Sequence, residues 1–180
     1  MDIVIRDARP EEYGAVGELT ARAFLADGLL TFGEADPYLT ELRDAARRAV
    51  HAELLVAVAA AGRVPLGSVT FVGDGGELAH LAGEGEAEFR MLAVSPGARG
   101  RGVGEALVRE CLRRARARGL RRVVISSASQ MHTAHRLYGR LGFVRAPERD
   151  WEHLPGDPLH AFAVDLAPDL APRRDQRHNI

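Results

Sequence analysis

The chain has 180 residues and nearly balanced charge, with 24 basic and 25 acidic side chains, and every basic residue is an arginine. The absence of lysine excludes a Schiff-base enzyme, which needs a lysine amine as nucleophile, and a Walker-type nucleotide site, whose loop ends in Gly-Lys-Ser/Thr. The single cysteine, Cys111, excludes an internal disulfide framework and a cysteine-based zinc cluster.

Length and hydropathy predict one soluble domain with a sizeable core. A chain of this size buries roughly 70% of its unfolded surface, and no apolar run approaches the ~20 residues of a membrane span. The first residues, MDIVIRDARPEEY, lack the basic-then-apolar order of a signal peptide. We therefore expect a cytoplasmic protein that does not bind membranes.

The charges are unevenly distributed along the chain. Residues 1–96 hold eight arginines against sixteen acids, whereas residues 97–122 hold nine arginines against only Glu105 and Glu110. A basic segment inside an acidic chain indicates an anionic ligand, or nucleic acid, at one place on the surface. The alternative is an arginine-rich helix face exposed to solvent.

The first half of the chain predicts a strand, two helices and an antiparallel hairpin. Alternating β-branched residues indicate the strand, and a proline followed by acids suits the start of the first helix. Two apolar runs joined by a short glycine turn predict the hairpin. These elements cover, in order, residues 2–6, 10–25, 36–50, 53–60 and 65–72.

The second half predicts alternating strands and helices after an acidic, glycine-rich loop at residues 73–88. The apolar positions keep one helical face in each helix, and a glycine follows each helix as its C-cap. Strands that first pair as hairpins and later alternate with helices indicate a mixed α/β sheet. The predicted elements are strand 88–95, helix 104–118, strand 123–129, helix 131–141, and strands 143–145 and 160–166.

A glycine-rich turn between a strand and a helix carries the strongest chemical signal. Its sequence is Arg99-Gly100-Arg101-Gly102-Val103-Gly104. A helix start presents unpaired N–H groups and the positive end of its dipole, so it binds a phosphate. Glycine lets the backbone approach the ligand closely, and arginines add charge-assisted bonds. The alternative is merely a tight strand–helix connection.

A Rossmann dinucleotide site is disfavoured for this turn. That site needs Gly-x-Gly-x-x-Gly and an acid at the end of the next strand. Here Leu107 stands where the third glycine belongs, and the strand at residues 123–129 ends without an acid.

The pattern Arg-x-x-Gly-x-Gly on a strand–turn–helix resembles the acetyl-CoA signature of the GNAT superfamily of N-acetyltransferases. A second segment, AHRLYGRLGF at residues 134–143, is similar to that family's Ala-x-x-Leu-Tyr-x-x-x-Gly-Phe. The order of elements over about residues 2–166 also matches the family. The resemblance implies a GNAT-like acyl-CoA N-acyltransferase fold, α/β with a mixed central sheet of about six or seven strands and about four flanking helices. The domain is expected to span residues 1–166, and the proline- and charge-rich composition of residues 167–180 predicts a flexible tail.

The resemblance further implies acetyl-CoA as co-substrate and no metal. In the family, main-chain groups at the end of the strand before the turn bind the pantetheine arm and polarise the thioester carbonyl. A backbone N–H already aimed at a developing oxyanion stabilises it without reorganisation. Carried over residue by residue, the cofactor-binding set is Leu92, Ala93, Val94, Arg99, Gly100, Arg101, Gly102, Val103, Gly104 and Glu105.

Tyr138 matches the tyrosine that commonly protonates the departing CoA thiolate in this family. A phenol keeps its proton at neutral pH and can donate it to a thiolate. The alternative is a tyrosine on a buried helix face. One departure from the family is Met131, at a position where many members carry asparagine. That contact is absent here or is taken over by a nearby serine: Ser126, Ser127 or Ser129.

Glu88 matches a glutamate that the family often uses to take a proton from the amine, directly or through a water. The alternative is an exposed carboxylate at the end of a strand. Glu86, His132 and His135 are further candidates for the base, although both histidines suit a surface position on a helix better. Cys111 lies on an apolar helix face and is interpreted as core packing.

The sequence therefore predicts an enzyme that moves acetyl from acetyl-CoA directly to a primary amine of a small molecule or peptide in a ternary complex. Acids in and beside the loop at 73–88 could attract a cationic amine, and the alternative is a solvated acidic loop: Asp74, Glu77, Glu84, Glu86 and Glu88. One alternative is a CoA-binding sensor or interaction module without turnover. Nucleic-acid binding through residues 113–122 is disfavoured, because that segment lacks aromatic residues for stacking. The acceptor and the oligomeric state, including a homodimer, stay open.

Overall fold

A computed structural model of the protein describes residues 2–73 and 75–167. The strands are β1 (Ile3–Asp7), β2 (Glu53–Ala59), β3 (Pro65–Val72), β4 (Glu86–Val94), β5 (Arg122–Ala128), β6 (Val144–Arg145), β7 (Trp151–Leu154) and β8 (Asp157–Asp165). The helices are α1 (Tyr13–Ala26), α2 (Tyr38–Arg43), α3 (Ala45–His51), α4 (Val103–Ala117) and α5 (His132–Arg140). Of the predicted tail, residues 168–180 lie outside the described part of the chain.

All eight strands form one sheet in the order β1-β2-β3-β4-β5-β8-β6, with β7 hydrogen-bonded to β8. Every neighbouring pair is antiparallel except β4 and β5, which are parallel. The helix between β4 and β5, which is α4, makes the crossover that a parallel pair requires. The predicted mixed α/β fold is confirmed, with one strand and one helix more than expected. No helix within the described residues is long and apolar enough to cross a membrane.

The predicted helix at residues 36–50 is two helices, because Asp44 interrupts it. Asp44 has φ −79° and ψ 67°, outside the helical region, and its carboxylate accepts a hydrogen bond from the Arg47 N–H at 2.9 Å. A side-chain acceptor for an N–H near a helix start is the role of an N-cap. Asp44 therefore ends α2 and begins α3, although the apolar period continues across it.

Strand β7 was not predicted from the sequence. It forms a hairpin with β8 across Pro155-Gly156, and β8 begins three residues before the predicted strand at 160–166. The Pro-Gly pair is a turn signal between two short runs. It was missed because charged and polar residues in β7 hide the alternation of a strand.

Helices cover both faces of the sheet, and the alternation of side chains assigns residues to each face. In β2, Leu55 and Ala57 pack into the main core with α4 and α5. Leu54 and Val56 lie on the opposite face, in a cluster with Val16 of α1 and part of α3. The sheet is thus buried between α4 and α5 on one side and α1 to α3 on the other.

The basic segment at residues 97–122 is largely neutralised by acids. Within the described part of the chain, seven of its nine arginines form salt bridges. Arg114 is the centre of the largest group, with Asp7 at 2.9 Å, Glu53 at 3.0 Å and Glu110 at 2.9 Å. These pairs connect α4 to β1 and β2. Most of this positive charge is therefore structural.

Helix α1 packs so closely on the end of α2 that only glycine fits at position 17. A Cβ at Gly17 would lie 2.1 Å from the carbonyl oxygen of Arg43. We expect Gly17→Ala to lower the free energy of unfolding by about 1–3 kcal/mol, because the helices must separate. Gly14→Ala is the matched control on the same helix, since its Cβ meets nothing within 4 Å. Alanine there should raise stability by up to about 1 kcal/mol. Equal effects of the two substitutions in urea unfolding would contradict the close contact.

Candidate functional site

Strands β4 and β5 separate part of the way along their length. They pair only where Glu86 to Glu88 lie beside residues 122–124, although β4 continues to Val94 and β5 to Ala128. Beyond that point no strand of residues 2–73 or 75–167 pairs with the β5 side of β4. The main chain of the predicted pantetheine-binding residues therefore borders an open gap: Leu92, Ala93 and Val94.

A bulge lies in β4 beside this gap. The register with β3 runs from Ala93 opposite Ser68 to Arg90 opposite Thr70, so two residues of β4 face one of β3. One of these two, Met91, has φ +56°, a left-handed conformation that side chains rarely adopt. A bulge bends the strand and changes the direction of its side chains. Nothing in the sequence indicates it, because methionine is not a residue that favours positive φ.

The predicted phosphate turn leads directly into α4. Gly100 and Gly102 have φ +73° and +81°, which explains the glycines. Gly102 is the N-cap and has no side-chain cap, and the first backbone bond of the helix runs from Ala106 N–H to Gly102 C=O at 2.9 Å. The three N–H groups between them make no hydrogen bond with any described residue. This helix start is a site for an anion.

Side chains around this turn have different roles. Arg99 forms an exposed salt bridge with Asp27 at 2.8 Å, whereas Arg101 is exposed and forms none with a described residue. The Glu105 carboxylate bonds Arg109 at 2.7 Å, and Arg109 lowers the pKa of that carboxyl. Any contribution of Glu105 to phosphate binding therefore comes from its backbone N–H.

A cavity of about 630 Å³ lies at the gap between β4 and β5. The region between α1 and α2, the strands β4, β5 and β7, and α5 all contribute to its wall. The predicted catalytic residues Glu88 and Tyr138 both line it, as do Leu92, Ser126 and Ser127. The fold thus brings together residues that are far apart in the sequence.

Tyr138 is almost fully buried, with 3% of its surface exposed. Its ring packs against Phe89 and Phe143, with centroids 6.0 and 5.7 Å away. Burial raises the pKa of its phenol, and the neighbouring Cys111 acts in the same direction. The hydroxyl is consequently protonated over the whole neutral range, as a proton donor must be.

Glu88 is buried, with 1% of its surface exposed, so the alternative of an exposed strand-end carboxylate is wrong. Its Oε2 accepts hydrogen bonds from the backbone N–H groups of His80, Leu81 and Ala82 at 2.9, 2.8 and 3.1 Å. No described residue bonds to Oε1. Glu88 therefore holds the preceding loop with one oxygen and has the other available at the cavity.

Of the acids predicted to attract a cationic amine, Glu77 and Glu86 are paired with arginines, whereas Glu84 is exposed and forms no salt bridge with a described residue. Glu86 is buried and receives two hydrogen bonds from Arg149 at 2.7 and 2.9 Å. Glu77 pairs with Arg47. Asp74 lies outside the described residues. Glu86 is thereby a structural ion pair rather than a candidate base.

A serine–histidine pair adjoins the cavity, with the serine in its wall and the histidine behind it. Ser127 lines the cavity, is 3% exposed, and its hydroxyl lies 3.1 Å from Nε2 of His135. Burial, followed by the charges of His160 and His132, lowers the pKa of His135, so its imidazole is neutral near pH 7. The same hydroxyl lies 3.4 Å from Met131 Sδ, and its single proton can be donated either to that sulfur or to His135. This pair is a second route for taking up a proton; His132 itself is exposed.

Some cavity residues carried no motif in the sequence. Trp151 of β7 donates from Nε1 to Ser126 Oγ at 2.9 Å, and His80 packs edge-on against the indole at 4.2 Å. Ser129 is not part of the cavity wall, and its hydroxyl donates to Gln130 Oε1. Among residues 2–73 and 75–167, no group of three or more His, Cys, Asp or Glu side chains is placed to hold a metal ion.

Comparisons with known proteins identify the family and agree with the fold. Residues 18–143 match the model of the acetyltransferase (GNAT) family. A GCN5-related N-acetyltransferase from Kribbella flavida is 26% identical, with a TM-score of 0.66 over 91% of this chain and 98% of that chain. The PaiA N-acetyltransferase of Thermoplasma acidophilum, solved with coenzyme A, has a TM-score of 0.71 at 16% identity, covering 92% of this chain and 100% of that chain. No curated protein sequence matches the chain.

A third similar structure was solved with acetyl-CoA. It is a GNAT superfamily phosphinothricin acetyltransferase from Sinorhizobium meliloti, with a TM-score of 0.70 and 22% identity over 93% of this chain and 90% of that chain. At this level of identity the likeness concerns the fold.

Proposed function

Because the chain belongs to the GNAT acetyltransferase family, we propose that it is an N-acetyltransferase that moves acetyl from acetyl-CoA directly to a primary amine of a small molecule or peptide. One observation carries the proposal. The uncapped start of α4 adjoins the gap between β4 and β5, and the gap adjoins the cavity that contains Glu88 and Tyr138. An anion site, a gap between two strands and two groups able to transfer protons are thus neighbours in the fold.

The residues fit the parts of acetyl-CoA in that order. The N–H groups of Val103, Gly104 and Glu105 would hold the pyrophosphate, with Arg101 adding a charge-assisted bond. The pantetheine arm would lie in the gap, where no described strand pairs with the β5 side of the β4 main chain. Two of the similar structures contain coenzyme A or acetyl-CoA, which supports this placement.

The chemistry needs three contributions from the chain. A backbone N–H of β4 polarises the thioester carbonyl, because it is fixed in place before charge develops. A base takes a proton from the amine, which arrives mostly as ammonium. Tyr138 then donates its phenolic proton to the departing thiolate. Glu88 is our proposed base, since one of its carboxylate oxygens faces the cavity without a partner among the described residues.

Glu88→Gln separates the chemical role of this residue from its structural one. The amide oxygen of glutamine still accepts the N–H bonds of the loop, but the side chain no longer accepts a proton. We expect kcat to fall by about 10²-fold or more with little change in thermal stability. Glu86→Gln, in the ion pair with Arg149, should lower stability instead.

The pH profile of kcat decides between the two proton routes. If His135→Gln lowers kcat and Glu88→Gln does not, the Ser127–His135 pair is the base and our assignment to Glu88 is wrong. If neither changes the profile, neither group takes the proton.

The proposed function itself is tested by release of free CoA thiol with a panel of primary amines. Amine-dependent release, with formation of the N-acetyl product, is the expected result. Tight binding of acetyl-CoA without turnover on any amine would overturn the proposal and favour a CoA-binding sensor.

We also propose that the protein acts in the cytoplasm. Its single cysteine is a free thiol buried in the core, and burial raises the pKa of that thiol. Such a cysteine is inert packing rather than an acyl carrier, and it fits a reducing compartment.

A further inference from the structure

We propose that the acceptor is an amino acid whose carboxylate binds Arg90 in the cavity, with Arg48 reinforcing the positive charge from behind. This inference rests on the proposed function, because it names the class of amine that the same cavity receives. Its basis is a pair of arginines that are removed from water and lack a carboxylate partner among the described residues.

Arg48 and Arg90 are exceptions among the described arginines. Each of the others either forms a salt bridge with a carboxylate or has an exposed side chain. Arg48 is buried and Arg90 is half-buried, yet neither forms a salt bridge with any described residue. A cation taken out of water without a counter-ion costs free energy that a bound anion recovers.

Arg48 on α3 is the more deeply buried of the two, with 2% of its surface exposed. Its guanidinium donates to the Leu42 carbonyl at 2.8 Å and to the hydroxyls of Thr70 and Thr20 at 3.3 and 3.4 Å. Its Nε has no hydrogen-bond partner among the described residues. Burial lowers the pKa of Arg48 to about 10, so the group is still charged at neutral pH. All its partners are neutral oxygens.

Arg90 lies beside Arg48 and faces the cavity. It stands directly opposite Thr70 in the β3–β4 register, and Thr70 is the residue that Arg48 bonds. Arg90 donates to the Leu78 carbonyl at 3.1 Å and lines the cavity together with Tyr38. A second cavity of about 230 Å³, lined by Arg48 and also by Glu41 and Asp44, shares Glu41 and Met91 with the first. Two neighbouring cations thus lie near the acceptor side, Arg90 in the cavity wall and Arg48 behind it, and neither forms a salt bridge with a described carboxylate.

The carboxylates of the cavity wall do not fill this role. Asp36 accepts hydrogen bonds from the backbone N–H groups of Phe32 and Tyr38. Glu77 pairs with Arg47 and Glu88 with backbone N–H groups. The remaining one, Glu41, is exposed and forms no salt bridge with a described residue.

Spacing along β4 matches the two charged ends of an amino acid. Glu88 and Arg90 are two positions apart in a regular stretch of strand, so they share a face and their Cα atoms are about 7 Å apart. An ammonium beside Glu88 and a carboxylate beside Arg90 would lie side by side in the cavity. The Glu88 carboxylate would attract the amino group of the substrate. Arg90 would select substrates that carry a carboxylate next to that amino group.

The test compares each standard L-amino acid with its carboxamide, which keeps the amine and side chain but lacks the negative charge. For the preferred side chain, we expect wild-type kcat/KM to be at least about 10-fold higher for the acid, since a charged hydrogen bond is at stake. Arg90→Gln should remove this preference by raising KM for the acid, while KM for acetyl-CoA stays unchanged. Arg90→Lys should restore part of it. Arg63→Gln, at an exposed arginine without a described partner, is the control.

The outcomes distinguish failure of the inference from failure of the proposed function. If wild type acetylates amides as well as acids, and Arg90→Gln leaves the ratio unchanged, the inference is wrong and the acetyltransferase stands. If no acceptor turns over, calorimetric titration of the acids and amides into the CoA-saturated protein still tests the site. Equal binding of acid and amide, or binding that Arg90→Gln does not weaken, overturns it.

Discussion

Replacing Tyr138 by phenylalanine is expected to lower kcat by about 10²-fold or more. The substitution removes only the hydroxyl, while the ring keeps its contacts with Phe89 and Phe143. Since burial raises the pKa of this phenol, it is a protonated donor well above neutral pH. Without it the CoA thiolate must leave unprotonated or take a proton from water. Binding of acetyl-CoA and the fold should be nearly unaffected.

Single-turnover kinetics, together with calorimetric binding of CoA, measures the two effects separately. Tyr13→Phe removes a hydroxyl from a partly buried tyrosine of α1 and is the control. A Tyr138→Phe enzyme with wild-type kcat would show that this tyrosine only packs the core. The proton for the thiolate would then come from elsewhere.

Reversing the charge of Arg101 is expected to raise KM for acetyl-CoA by about 10- to 100-fold. A charge-assisted hydrogen bond contributes about 1.5–3 kcal/mol, and glutamate adds repulsion toward the phosphates. Arg101 is exposed and forms no salt bridge with a described residue. Its loss therefore leaves the stability of the fold within about 0.5 kcal/mol.

Arg116→Glu provides the matched control for this reversal. Arg116 is an exposed arginine near the other end of α4, likewise without a salt bridge to a described residue. It changes the net charge equally but lies far from the helix start. The Arg101 effect should shrink with added salt, because screening weakens exposed charges. Equal effects of both reversals would assign the change to overall charge and not to the phosphate turn.

Features that depend on residues close together in the sequence can be predicted from the sequence alone. The glycine turn requires positive φ at Gly100 and Gly102, and glycine adopts that conformation at little cost. The apolar period of α4 identified its buried face, including Cys111. The mixed sheet followed from the order of hairpins and helices. These features depend on neighbours within one or two turns of the chain.

The helix break at Asp44 and the bulge at Met91 were harder to predict, because each depends on contacts that the local sequence pattern does not show. Asp44 interrupts an apolar period that continues on both sides, because its carboxylate satisfies an N–H that the helix would otherwise leave open. The Met91 bulge arises where β4 pairs with β3 on one side and leaves β5 on the other. Its cause is the pairing of strands and not the preference of methionine.

By itself, the sequence determined the family resemblance, the turn that starts α4 and the candidate pair Tyr138 and Glu88. Only the tertiary structure decided which charges are available. Seven of the nine arginines of residues 97–122, which suggested a basic surface, pair with described acids, and four of these seven reach acids on strands distant in sequence. Arg90 and Arg48, which belong to no sequence motif, form no salt bridge with a described residue. The physical reason is that the electrostatic role of a side chain depends on its burial and on the charges within a few ångströms, and folding sets both.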